Sequence, residues 1–253
     1  MNSGARMPGV PEARQDAALR RYPLRRLRLP VGAGQLSLVV PDERDWMRDG
    51  AWAPAVVRGK EPPYWVRIWP AALAAARAVA RLGDLSDTRV LDLGCGLGVP
   101  GVQASAAGAE VTFADQEPDA LAFAAWNARS QPGCGGEPAK VQLDWSRQVV
   151  AGTFDLLVLS DVSYRELHHR PLRAHLDATL ASGGVALHAD PHRDAAGAFL
   201  AGLAPSFAQA SWSRTAELQE RRADVRLTLL TRDEVALSRW RERFGAPSVP
   251  GRR

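Results

Sequence analysis

Val90-Leu91-Asp92-Leu93-Gly94-Cys95-Gly96-Leu97-Gly98 is the stretch that decides the fold. A short apolar strand pattern, Arg89–Leu93, runs straight into a loop with glycine at every second position. Val99–Ala107 then reads as a helix. Glycine takes φ > 0 without strain and lets the backbone approach a ligand closely. A strand–loop–helix of this kind places its turn in the crevice at the carboxyl end of a parallel strand. The dinucleotide fingerprint is spaced G-x-G-x-x-G. Here the spacing is G-x-G-x-G, with Asp92 two positions ahead of the first glycine.

Downstream, strands and helices alternate. Glu110–Asp115 reads as a strand and Pro118–Arg129 as a helix. Lys140–Trp145 and Phe154–Val162 read as strands, His168–Leu180 as a helix, Gly184–Ala189 as a strand and Ala195–Leu203 as a helix. This rhythm implies an α/β fold, a doubly wound and mostly parallel sheet with helices on both faces. Two closing strands, Gln209–Glu217 and Asp224–Thr231, imply one antiparallel edge strand. Phe244 to Arg253 reads as a frayed end, within a flexible tail over 241–253.

Upstream, Pro70 opens a helix that runs to about Leu82, at a first-turn position where its missing N–H does no harm. Residues 41–63 read as a connecting loop. Leu24 to Val40, with glycines at 32 and 34, reads as a β-hairpin, so 20–63 forms an N-terminal hairpin with its connecting loop. Arg20, Arg21, Arg25, Arg26 and Arg28 would line its solvent side. Residues 1–19 read as a flexible tail, and 64–240 as the main domain.

Composition is that of a soluble globular protein, with 46% hydrophobic and 24% charged residues over a length of 253. A chain of this length builds a core without disulfides or structural metal. Cys95 and Cys134 supply neither a disulfide framework nor a four-cysteine zinc site. No stretch reaches the roughly 20 apolar residues of a membrane span, and the first residues lack a secretory pattern. The expectation is a cytoplasmic protein that binds no membrane. Net charge is +4 and rests almost wholly on arginine, a modest bias.

Asp115 ends the second strand, 19 positions after Gly96. An acid there accepts hydrogen bonds from both ribose hydroxyls, by the logic of dinucleotide folds. Asp144 ends the third strand, where it could accept an adenine N–H. Trp145 either covers the purine face or is a core-edge tryptophan. Asp161 ends the fourth strand, beside the first at the switch point. It either faces the reacting centre or caps the following helix.

The G-x-G-x-G loop resembles that of the class I S-adenosylmethionine methyltransferases. Pro63-Tyr64-Trp65-Val66-Arg67-Ile68-Trp69-Pro70, Asp144-Trp145 and the D-x-x-Y stretch Asp161-Val162-Ser163-Tyr164 are similar to the family 16 group, mostly protein-lysine methyltransferases. The likeness covers roughly 60–195. Within that group the chain resembles the bacterial relatives of the electron-transfer flavoprotein β-subunit lysine methyltransferase. Their Pro-Pro-aromatic-Trp segment stands as Pro62-Pro63-Tyr64-Trp65, and their Gly-Asp-Pro-Gly-Arg as Ala189-Asp190-Pro191-His192-Arg193. The Gly-Gly-Gln that follows their Trp-Pro pair is Ala71-Ala72-Leu73 here.

The resemblance implies a Rossmann-like sheet of seven strands and S-adenosylmethionine as cofactor. It implies that Trp69, Asp92, Gly94, Cys95, Gly96, Gly98, Asp115, Gln116, Asp144, Trp145 and Ser160 hold that cofactor. Asp161 and Tyr164 then serve as the catalytic pair, with Tyr64 and Trp65 walling the substrate channel. The expected acceptor is a lysine of a protein substrate. The alternatives are a small amine, nicotinamide-like for example, or a silent cofactor-binding module. A nucleic-acid N-methyltransferase would carry Asn/Asp-Pro-Pro-Tyr after the fourth strand, and Asp161 to Tyr164 lacks both prolines. His188 and His192 span a strand end and Pro191 rather than one helix face, so no metal site is expected. His168, His169 and His175 read as surface helix residues.

Overall fold

Val90, Leu91, Leu93 and the run Leu156-Leu157-Val158-Leu159 have no solvent exposure. Strands covered by helices on both faces need apolar side chains on both, which is why these runs are continuous rather than alternating. They form the centre of the sheet in a computed structural model that describes residues 9–48, 63–134, 136–218 and 221–247.

An N-terminal hairpin, β1 (Leu24–Val31) and β2 (Gly34–Pro41), precedes the sheet. Gly32 takes φ 59° at the first central position of its two-residue turn, where side chains are disfavoured. The sheet strands are β3 (Arg89–Leu93), β4 (Glu110–Asp115), β5 (Ala139–Gln142), β6 (Phe154–Ser160), β7 (Leu180–Asp190), β8 (Ala208–Leu218) and β9 (Arg221–Thr231). The helices are α1 (Pro70–Val79), α2 (Val99–Ala106), α3 (Pro118–Arg129), α4 (His169–Thr179), α5 (Asp194–Leu203) and α6 (Glu234–Phe244).

Strand order is β5-β4-β3-β6-β7-β9-β8 in a seven-stranded sheet. The strands from β5 to β7 run parallel. β9 pairs antiparallel with both β7 and β8. The antiparallel edge expected from the two closing strands is present: β9 runs against both of its neighbours, and β8 closes the rim beside it. The chain winds outward from β3 through β4 to β5, then returns to place β6 on β3's other side. The switch point thus lies between β3 and β6, where such folds open a ligand crevice.

The hairpin is fastened by two α3 side chains that act like a neighbouring strand. Val39 N–H donates to Asn127 Oδ1 at 2.8 Å, and Asn127 Nδ2 donates to Val39 O at 3.0 Å. Gln131 Nε2 donates to Ser37 O at 2.9 Å. Asn127 has no solvent exposure, and these bonds satisfy backbone groups that burial would otherwise leave unpaired. Arg20, Arg21, Arg26 and Arg28 are exposed as expected, and Arg25 is half-buried. Arg21 pairs with Asp119 of α3.

Several expectations need correction. The tail expected over 1–19 is packed where it is described. Val10–Ala13 is a helical turn, and Ala13 and Leu19 are fully buried. The loop over 41–63 contains a helix, Glu43–Arg48; residues 49–62 lie outside the described residues. β5 stops at Gln142, which leaves Asp144 and Trp145 in the turn beyond it. α6 goes beyond the expected elements, and the tail over 241–253 begins later than expected, since α6 reaches Phe244, which is 1% exposed. Asp233 caps α6 by accepting from Ala236 N at 2.8 Å, and Gly245 ends it in the left-handed conformation. Ala236, Leu237, Trp240 and Phe244 form its buried stripe.

Candidate active site

Register sets the floor of the site. Leu93 pairs with Ala114 on one side and with Leu159 on the other. Asp115, Gly94 and Ser160 are thus the next residues along three adjacent strands, at their carboxyl ends. Strand spacing of about 4.8 Å puts Asp115 and Ser160 about 10 Å apart across Gly94.

Gly94, Gly96 and Gly98 all have positive φ, 69°, 52° and 73°. At Gly94 the demand is double. A Cβ there would lie 2.7 Å from both Trp145 Cζ3 and Val162 Cγ1. The Trp145 ring therefore rests on the loop itself. Gly96 N–H donates to Asp115 Oδ2 at 2.8 Å, and Glu117 N–H donates to Oδ1 at 3.0 Å. Each oxygen keeps a lone pair for a ribose hydroxyl. Burial pushes the Asp115 carboxyl above its ordinary value, against the pull of those N–H donors.

Asp92 lies elsewhere. It is 1% exposed, and its Oδ2 accepts from Gly101 N at 3.0 Å in the first turn of α2. Burial pushes its carboxyl up to about 7. It ties the helix to the strand from behind the loop and does not open onto the crevice, which corrects its expected role as a cofactor ligand. The Cys95 thiol is buried, and burial with Asp115 and Asp92 nearby drives it well above the ordinary range. Gly94 N–H and Cys95 N–H both donate to Ala114 O, which closes the loop onto β4.

Gln116 is exposed beside Asp115, and its carbonyl accepts from Gln142 Nε2 at 3.2 Å. Asp144 folds onto its own turn. Its Oδ1 accepts from Ser146 N at 3.0 Å and Ser146 Oγ at 2.6 Å, and its Oδ2 lies 3.2 Å from Arg147. The Ser146 hydrogen bonds hold its carboxyl below the ordinary range. Ser160 Oγ is buried with no partner, an orphan polar atom that a bound polar group would satisfy.

Asp161 has φ 54°, one of two non-glycine residues with positive φ among the described residues. Its carboxylate receives both ends of a guanidinium fork, Arg193 Nε at 2.9 Å and Nη2 at 3.1 Å. The Arg193 guanidinium also lies 6.0 Å from the Tyr164 ring centre. Burial raises the Tyr164 hydroxyl, and Tyr64, Asp161 and Asp115 all act on it in the same sense. These residues, from four separate segments, share one electrostatic neighbourhood.

Tyr64 is 45% exposed and meets Trp69 edge to face, with ring centres 6.0 Å apart. Trp69 stands at the N-cap of α1 and donates from Nε1 to Tyr64 O at 3.2 Å. Arg67 and Arg221 lie over its ring at 5.5 and 5.9 Å, and both pair with Glu43. Trp65 parts from Tyr64. Its backbone passes 3.7 Å from where a Gly96 Cβ would stand, but its ring packs with Tyr22 and Phe123. It braces the loop and does not wall a channel.

His168 is the residue that sequence reasoning missed. It is 8% exposed, not a surface residue, and is wedged between Trp145 and Tyr164 with both ring centres at 5.3 Å. Its Nδ1 bonds Val162 O at 3.1 Å. His175 is also buried. His188 bonds Ser163 Oγ through Nε2 at 2.7 Å, and burial lowers its pKa to about 4. His192 bonds Ser213 Oγ on β8. Aromatic spacing on a short helix gives no sign of which face a histidine turns inward, so only periodicity with Leu172 and Leu176 hinted at His168.

A family model described as lysine methyltransferase, methyltransferase family 16, matches residues 65–203. Among curated proteins none matches the sequence. The fold is similar to a TehB-like S-adenosylmethionine-dependent methyltransferase from Corynebacterium glutamicum (TM-score 0.51, 19% identity, 75% of this chain and 98% of that one). It is also similar to the N-methyltransferase NodS from Bradyrhizobium japonicum in complex with S-adenosyl-L-homocysteine (TM-score 0.52, 15% identity, 64% of this chain and 86% of that one). At these identities the likeness is one of fold.

Fold and match together define an S-adenosylmethionine-dependent methyltransferase. The chain belongs to the lysine methyltransferase family, methyltransferase family 16, whose model covers more than half of it. S-adenosylmethionine is its cofactor. The residues present fit it: an acid with free lone pairs, an indole resting on a glycine loop, and the unpartnered Ser160 hydroxyl at the strand end. Among the described residues no helix is long and apolar enough to cross a membrane, and no group of three or more metal-ligating side chains gathers.

Proposed function

We propose that the chain methylates the side-chain amine of a lysine in a protein substrate. The observation that carries this reading is the Asp161–Arg193 fork with the Tyr164 ring against it, at the end of the strand next to the glycine loop that Asp115 holds. Membership of a lysine methyltransferase family favours lysine among amines. The half-exposed Tyr64 gives the site an open side where a protein segment can lie.

In this reading Asp115, Trp145 and Ser160 hold the nucleoside, while Trp69 lies toward the acceptor side with Tyr64. When bound, the cofactor supplies a methyl group on a good leaving group, so no covalent protein nucleophile is needed. The raised Cys95 thiol agrees with that. The chain's task is to align the acceptor and to exclude water. Asp161 orients the amine by accepting an N–H. Tyr64 and Tyr164 border the acceptor, and the Trp145–His168–Tyr164 row closes the side toward the glycine loop. A lysine has an ordinary pKa near 10.4 and must lose its proton before it reacts.

Purified enzyme added with methyl-labelled S-adenosylmethionine to a lysate of cells lacking this gene tests the reading. Label should enter a protein band, and Asp161→Ala should cut that transfer by well over tenfold, the scale of a lost positioning contact. Label confined to a small metabolite would replace the protein acceptor by a small amine. Label in nucleic acid, or in nothing, would overturn the reading.

A further inference from the structure

Asp161 does not stand as a bare carboxylate. Both of its oxygens are taken by Arg193, and its side chain is 8% exposed while that of Arg193 is 40% exposed. Arg193 is itself held in place. Its backbone N–H donates to Asp190 Oδ1 at 3.0 Å. Asp190 is 1% exposed and is gripped by Arg226 of β9, Nε at 3.0 Å and Nη2 at 3.1 Å. A relay of two forked ion pairs therefore runs from β9 through the end of β7 to the end of β6. Forked pairs fix orientation as well as charge.

We infer that Arg193 is a positioning residue that neutralises Asp161, so that the acceptor is admitted as the neutral amine rather than the ammonium. The inference rests on the reading of Asp161 as the acid that faces the acceptor. The Asp161–Arg193 pair carries no net charge, and neither does Asp190 with Arg226. Of the other groups around Asp161, the Tyr164 hydroxyl is pushed above its ordinary value by burial, and the Asp115 carboxylate lies across Gly94, about 10 Å from the end of β6, turned to the Gly96 and Glu117 N–H groups and the ribose side. An ammonium would gain little from a compensated carboxylate and would be repelled by the guanidinium. A neutral amine loses nothing, because each Asp161 oxygen still has a lone pair to accept its N–H.

The charge balance then closes. The lysine ammonium gives its proton to water on entry. Its nitrogen forms the new N–C bond as the S–C bond breaks, and the positive charge passes from sulfur to nitrogen. The methylated ammonium is the form that Arg193 disfavours, which assists its release.

The test is the pH dependence of initial label transfer by the purified wild-type and variant proteins, from methyl-labelled S-adenosylmethionine to proteins of the gene-lacking lysate, at saturating cofactor. Arg193→Met leaves Asp161 uncompensated and stabilises the ammonium. The acidic limb of its profile should move up by about one pH unit or more, with a loss of about tenfold per unit along that limb. Arg193→Lys keeps the charge without the fork. Its limb should stay with the wild type, below a reduced plateau. Calorimetric binding of S-adenosylhomocysteine by both variants shows that they are folded. A limb in Arg193→Met that stays put or moves down overturns the inference, even with Asp161→Asn inactive. Wild-type transfer by Asp161→Asn would instead sink the underlying reading of Asp161.

Discussion

Replacing Gly94 by alanine sets two costs against the fold at one atom. The backbone there has φ 69°, and a side chain in the left-handed region costs about 1–2 kcal/mol. The new methyl would stand 2.7 Å from Trp145 Cζ3 and from Val162 Cγ1, well inside contact, and forced overpacking costs about 1–3 kcal/mol more. The sum is about 2–5 kcal/mol. For a domain of this size each kcal/mol lowers Tm by about 2–4 °C, so a fall on the order of 10 °C is expected. Gly96→Ala is the internal control. Its φ is 52°, but the nearest atoms to the added methyl are 3.7 Å away. Only the backbone cost remains, and the fall should be about half as large or less. Differential scanning calorimetry of the three proteins without cofactor reads this directly. Titration with S-adenosylhomocysteine should then show Gly94→Ala binding at least tenfold more weakly, because Trp145 must leave its seat on the loop. Equal melting of the two variants, or a Gly94→Ala melt within about 1 °C of the wild type, would refute the packing argument.

Asp115→Ala removes the acceptor assigned to the ribose hydroxyls. Two charge-assisted hydrogen bonds at about 1.5–3 kcal/mol each predict a rise of at least a hundredfold in the S-adenosylhomocysteine Kd, and an unchanged calorimetric affinity would remove the assignment. Asp92 makes a pH prediction. Its folded pKa is raised, to about 7 from 3.8, so the native state holds a proton that the unfolded state has lost. Its contribution is most favourable below pH 4 and is lost as pH rises from about 4 to 7. The loss is about 4 kcal/mol at 1.36 kcal/mol per pKa unit. Asp92→Asn should therefore gain stability relative to the wild type across that window in urea titrations, and a difference that does not vary with pH would contradict the burial argument.

Much of this molecule was legible before its strands were assembled. The β3 strand, the glycine loop and α2 follow from local spacing, and β4 and α3 fell on Glu110–Asp115 and Pro118–Arg129 as expected. Elements defined by hydrophobic period and turn chemistry carry their evidence within a dozen residues. α6 was not legible because Glu234 to Phe244 is rich in charge, and its apolar stripe at 236, 237, 240 and 244 has meaning only against the sheet it covers. Trp65 and Trp69 look alike in one segment. Tyr22 and Phe123 claim the first ring, while Arg67 and Arg221 frame the second. Asp92 reads as a ligand because it precedes the loop, yet the strand pleat and the Gly101 N–H turn it into the interior.

By itself the sequence determined the parallel αβ winding, the nucleoside loop and the positions of the acids at the strand ends. These depend on φ freedom, on apolar period and on where a strand stops, all of which are local. Only the tertiary structure decided which of those acids is available and in what state. Asp92 is sealed behind the loop, Asp115 is shared with two backbone N–H groups, and Asp161 is bound by an arginine 32 residues away. Burial and charge compensation come from groups brought close by the sheet and its helices, and at a few ångströms those groups set protonation and orientation far more strongly than any neighbour in the chain.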